Sequence, residues 1–144
     1  ATQPTQPGGI DEVSGNGRLV ALIVAGYPIA WALGLGPATV ILDPDREPDP
    51  MSNELPVLIR ERDCSGGQAP VDREIVPVVA ETDTTVELIV LVAPVIGGAT
   101  CPGNPLHPIV VTLEQPLGDR TVIDAGTQPG AVRSWPPHRE ELDG

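Results

Sequence analysis

The chain has 144 residues, with 20 acidic side chains against 8 basic ones and a formal net charge of −12; every basic residue is arginine, and phenylalanine is absent. Its 18 prolines and 16 glycines exclude a long helical bundle, because each proline removes a backbone donor and clashes with the preceding turn. An apolar share of 40% argues against full disorder, and the charge excludes a duplex nucleic-acid binder, which needs a basic face to displace counterions.

The same charge disfavours anionic membrane surfaces, and the length predicts one domain with tails. Residues 1–17 open with Ala1-Thr-Gln-Pro-Thr-Gln-Pro-Gly-Gly9. With no basic start and no apolar centre, this stretch reads as a mature N-terminus and a semi-extended tether, not a signal peptide. Leu19–Leu42 is uncharged and long enough to span a bilayer. Gly26, Pro28, Gly34, Gly36 and Pro37 interrupt it, however, and Tyr27 and Trp31 sit in its middle instead of at interfacial ends. Buried strands over Arg18–Ala25 and Ala38–Leu42 are therefore expected, joined by an ambiguous Tyr27–Gly36 stretch; a membrane-anchored subunit spanning 19–42 is the alternative.

Asp43-Pro-Asp-Arg-Glu-Pro-Asp-Pro50 holds each pre-proline residue extended and has no apolar content. It reads as a stiff exposed connector and as the boundary before the main domain. Leu55–Arg62 follows as an edge-like strand with Pro56 near its start, where a missing donor is tolerated. Cys64-Ser-Gly-Gly67 is a turn. Glu74–Ala80 and Thr85–Val92 form a hairpin around Glu81–Thr84, and Thr85–Val92, apolar on both faces but for Glu87, is the most buried strand. Further strands are expected at Ile109–Leu113 and Arg120–Asp124. Residues 127–144 read as a polar tail in which Trp135 is the one large apolar side chain. Strands at this spacing predict an all-β fold over 18–126, an antiparallel β-sandwich, Ig-like or similar, with irregular Pro/Gly-rich tails.

The candidate sites are few. Asp43, Asp45, Glu47 and Asp49 offer hard oxygens at alternate positions, as calcium takes, but lack the glycine and distal glutamate of a calcium loop and are stiffened by prolines. A solvated linker is the expected reading. Asp119 and Arg120 suit a salt-bridged turn, with a ligand-binding pair as the alternative, and Asn104 suits a turn between Gly103 and Pro105. Ser14, Ser52, Ser65 and Ser134 with His107 and His138 show no nucleophile elbow. Sugar-type carboxylate pairs would need aromatic platforms, and only Tyr27, Trp31 and Trp135 exist. Gly66-Gly67 and Gly97-Gly98 lack the lysine and helix of a phosphate loop. No cofactor is expected. Cys64 and Cys101 are not spaced as a metal pair; one disulfide is suggested, with two buried thiols as the alternative. A bridge between them would contribute about 4 kcal/mol.

Three strings carry a resemblance: Ile59-Arg-Glu-Arg-Asp-Cys-Ser-Gly-Gly-Gln68, Thr100-Cys-Pro-Gly-Asn-Pro-Leu-His-Pro108 and Val111-Thr-Leu-Glu-Gln-Pro-Leu-Gly-Asp-Arg-Thr-Val-Ile-Asp124. Together they resemble uncharacterised secreted proteins and lipoproteins of high-GC Gram-positive bacteria, over about residues 53–126. The resemblance implies pairing of Cys64 with Cys101 and no particular chemistry; a lipoprotein would begin at a lipidated cysteine, and this chain begins at Ala1. The resulting expectation is a non-enzymatic domain at the cell surface or outside the cell, a structural, assembly or surface-layer component. It would meet a protein partner or another copy of itself through edge strands such as Leu55–Arg62 and its tails. No nucleic acid is expected as partner, and a membrane only through an upstream lipid anchor. The alternative from a different class is a small metal-dependent hydrolase using the acidic 43–49 cluster.

Overall fold

The computed structural model describes residues 34–127 and 129–144; the tether 1–17, the strand expected over Arg18–Ala25, and Tyr27 and Trp31 lie outside the described residues. Seven strands follow in order: β1 (Gly36–Leu42), β2 (Glu54–Glu61), β3 (Ile75–Glu81), β4 (Thr85–Val92), β5 (His107–Thr112), β6 (Thr121–Asp124) and β7 (Ala131–Arg133), and then a short helix α1 (Arg139–Asp143). They form one curled sheet in the order β5-β2-β1-β4-β6-β7, with β3 also paired to β4. The protein is mostly β.

Strand β4 is the axis of this sheet. Along one edge it carries all of β3, from Ile75 opposite Val92 to Glu81 opposite Val86. The other edge is shared: β1 pairs antiparallel with Val90–Val92, and β6 pairs parallel with Thr85–Leu88. The sheet is therefore mixed, which departs from the expected all-antiparallel pairing. A parallel pair needs a long crossing connection, here the stretch from Ala93 to Arg120 that contains β5. No local turn signals such a return.

The alternation of side chains explains the core. Val40 and Leu42 of β1, Val57 and Ile59 of β2, Val86, Leu88 and Val90 of β4, Val111 of β5 and Val122 of β6 share one buried cluster. Each such side chain taken from water contributes about 1.5–3 kcal/mol. The opposite face of the β3–β4 hairpin forms a second cluster, with Val78, Ala80, Ile89 and Leu91 packed beside Leu35 and Ala125. Seven of the eight β4 residues are buried, as its two-sided apolar pattern requires. The hairpin turn closes with the Thr82 amide donating to the Thr85 carbonyl at 2.9 Å.

Further expectations change. Strand β2 is not an edge: β1 flanks it on one side and β5 on the other. Pro56 suggested an edge, but β5 arrives from fifty residues downstream, a non-local pairing that local residues do not reveal. Residues 43–50 are not a boundary either, since Leu42 pairs with Val57 across them; they are the β1–β2 connection. The uncharged run cannot be one helix as far as Leu42, because Gly36–Leu42 is a strand inside the sheet. Among the described residues no helix is long and apolar enough to cross a membrane.

The segment 127–144, expected as a tail, supplies β7 and α1. Polar contacts attach it, so its composition gave no sign of docking. Arg60 of β2 donates to the Leu142 carbonyl at 2.6 Å and to the Glu141 carbonyl at 3.3 Å, at the C-terminal end of α1, where exposed carbonyls favour a cation. The Trp135 indole N–H donates to the Asp43 carbonyl at 2.9 Å.

Candidate functional site

Strand β1 runs between the two ends of the sheet at which surface features concentrate. At its start lie the loops after β2 and β4. Cys64 and Cys101 form a disulfide here, with Cα atoms 4.5 Å apart and a separation of 37 positions in sequence. A second, non-covalent tie lies beside it. The Asn104 side-chain amide donates to the carbonyls of Glu61 and Asp63, both at 2.8 Å, and its oxygen accepts the Ser65 hydroxyl at 2.7 Å. The Gly66 amide donates to the Thr100 carbonyl at 2.9 Å, in a turn where Gly66 and Gly67 both take positive φ, a conformation other residues reach only at a cost. Asn104 is thus a clamp between two loops, beyond the local turn-former its sequence neighbours suggested.

Arg73 anchors the same end. Its guanidinium forks onto Glu61 at 2.5 and 2.6 Å and reaches the Ala93 carbonyl at 3.0 Å. The hydrogen bond to Glu61 raises the Arg73 pKa against the opposing effect of burial. Both charges are largely shielded from water. On these pinned loops Val71 is 69% and Ile96 97% exposed, and together with Ala69, Pro94 and Val95 they line a cleft of 840 Å³ whose rim carries Asp72 and Glu74.

At the far end of β1 the acidic cluster does not assemble. The Asp43 carboxylate, 5% exposed, accepts the Asp45 amide at 2.9 Å and the Arg46 Nε at 2.7 Å. Asp49 accepts the Met51 amide at 2.9 Å. These carboxylates shape the turn. Among the described residues no three His, Cys, Asp or Glu side chains are grouped to hold a metal ion.

Arg120 pairs with Glu81 at 3.1 Å, not with its neighbour Asp119. Its remaining donors go to the carbonyls of Thr82, Gln115, Pro116 and Leu117, so all five guanidinium N–H groups are used. Glu81 also accepts the amides of Glu114, at 2.6 Å, and Gln115. Burial pushes the Glu81 carboxyl up, but these amides and Arg120 together hold it below its ordinary value. The pair ties the loop after β5 to the β3–β4 hairpin.

Among the described residues the serines and histidines do not meet; Ser14 lies outside them. Ser65 bonds Asn104 and the Gln68 carbonyl, Ser52 accepts the Glu54 amide, His107 lies in β5 opposite Ile59, and His138 caps α1.

The cluster that sequence reading missed is Asp124, Arg133 and Glu141. Asp124, fully buried, accepts from Arg133 at 3.4 Å, and Arg133 also donates to Glu141 at 3.2 Å. Its only local sign was a lone acid ending an apolar strand, Thr121-Val-Ile-Asp124. No known protein family, curated protein or solved structure matches the chain.

Proposed function

We propose that the chain is a non-enzymatic, exported binding domain that meets a protein partner through the loops at its disulfide end. The observation that carries this reading is the pair of exposed aliphatic side chains, Val71 and Ile96, presented on loops held by Cys64–Cys101, Asn104 and Arg73–Glu61. Apolar side chains on a rigid, solvent-facing platform mark contact surfaces. Asp72 and Glu74 border the cleft, while the one cation lining it, Arg73, is spent on Glu61. The fitting partner is therefore a protein surface with an apolar centre and a basic border.

The disulfide suits an oxidising compartment, and the resemblance to secreted proteins of high-GC Gram-positive bacteria points the same way; both support a place at the cell surface or outside the cell. In fold terms we take the curl as a β-sandwich derivative. Val111 of β5 and Val122 of β6, from distant parts of the sheet, share one core, as they would across two packed layers.

The test is made with the full chain in the cells that produce it. Washed cells are expected to retain the protein with both thiols oxidised, and Val71→Ser together with Ile96→Glu is expected to release it into the medium with its melting temperature unchanged. Reduced thiols in exported protein, or undiminished retention of the double variant, would refute the proposal.

A further inference from the structure

At the end of the sheet opposite the disulfide, a cleft of 450 Å³ opens beneath Trp135, the one aromatic side chain among the described residues. The ring is fixed in place, because its indole N–H is engaged by the Asp43 carbonyl at 2.9 Å, yet 37% of the residue stays exposed. A large apolar surface already ordered in this way loses little entropy when a ligand stacks on it. Leu42 and Leu117 give the cleft an apolar floor.

The polar groups around it are few and of different kinds. Glu47 and Ser134 line the cleft, are exposed and make no side-chain hydrogen bond among the described residues. Arg133 donates to the Val40 carbonyl, to Asp124 and to Glu141, which leaves two of its five N–H groups. One acceptor-only carboxylate, one hydroxyl and one donor-only guanidinium thus border an aromatic plate. This is the complement of a ring bearing vicinal hydroxyls, each both donor and acceptor, with an apolar C–H face.

Charge decides between ligand classes. Arg120 at the cleft has no donor left, Arg133 is already matched by two carboxylates, and Glu47 and a net charge of −12 repel anions. Phosphates and acidic ligands are disfavoured, and a cation would leave the two remaining Arg133 N–H donors without an acceptor. We propose that the Trp135 cleft binds a neutral hexopyranose unit, its C–H face on the indole and its hydroxyls on Glu47, Ser134 and Arg133. This site lies about 20 Å, the length of β1, from the disulfide end and does not depend on the protein contact proposed there.

The experiment titrates isotope-labelled full-length chain with cellotetraose and with chitotetraose. It follows the indole N–H resonance of Trp135, assigned by its loss in Trp135→Phe. A saturable shift with at least one sugar is expected. Ser134→Ala and Glu47→Gln, both at the exposed rim, should each weaken that binding about tenfold while core amide resonances stay in place. The proposal is overturned if neither sugar moves the resonance at millimolar concentrations, or if both rim variants bind as tightly as the parent. A proline-rich peptide that shifts the same resonance when the sugars do not would reassign the cleft and equally overturn it.

Discussion

The Asp124 carboxylate accepts the backbone amide of Val40 at 2.9 Å, across 84 residues of sequence and in the buried interior. Strand β1 pairs with β4 only as far as Ala38, because β6 occupies the rest of that β4 edge. Beyond the split, Val40 would be left with an unmet amide and carbonyl. Asp124 takes the amide and Arg133 Nε the carbonyl, at 2.7 Å, so two side chains stand in for a missing strand.

Asp124→Ala should therefore lower the unfolding free energy by about 3 kcal/mol, since it strands the Val40 amide and removes one of the two carboxylate partners of Arg133. Asp124→Asn, which keeps an acceptor for Val40 and loses the charge, should cost roughly half as much. Urea unfolding of the two variants checks the order; a loss below about 1 kcal/mol for the alanine variant would mean that the split is not braced here.

Replacing both Cys64 and Cys101 with serine should cost about 4 kcal/mol, the entropy of closing the loop in the unfolded chain. The Asn104 clamp should hold the loops in their native arrangement after this change. Denaturation of the parent and of the double variant, each with and without Asn104→Ala, measures both; a larger loss for Asn104→Ala without the disulfide than with it would show that the two ties back each other up.

Glu81 gives the protein an acid limit. Its folded pKa lies below the unfolded value, so its contribution is present in full above the ordinary carboxylate range near 4.3. That contribution is lost as pH falls through this range towards the folded pKa. Melting temperatures measured from neutral pH down to about 3 should fall more steeply for the parent than for Glu81→Gln. Parallel curves would remove Glu81 from the acid response.

Among the described residues, the outer edges of β3 and β5 each resist strand addition through a proline. The hydrogen bond from Ala93 to Glu74, with the β3–β4 register, turns Ile75, Pro77 and Val79 toward the outer edge of β3. The bond from Leu113 to Asn53, with the β2–β5 register, likewise turns Pro108 and Val110 outward on β5. Each edge lacks a donor in its middle. Pro77→Val combined with Pro108→Val should restore both donors and produce concentration-dependent association, read by light scattering. A double variant as monodisperse as the parent would show that other features guard the edges.

Residue pattern alone determined the mostly-β character, the hairpin around residues 81–84, the position of every strand from β1 to β6 within two residues, and β4 as the most buried. These follow from alternation, β-branching and turn chemistry, all of which act between near neighbours. Which edge each strand would meet was decided only in three dimensions. The covering of β2 by β5, the parallel return of β6 beside β4, the anchoring of residues 127–144 by Arg60 and Arg133, and the bond from Asp124 to Val40 join residues dozens of positions apart. Such contacts form because buried backbone groups and charges must find partners, and a single chain offers many candidates at every distance. Composition can demand that those partners exist, but packing chooses them.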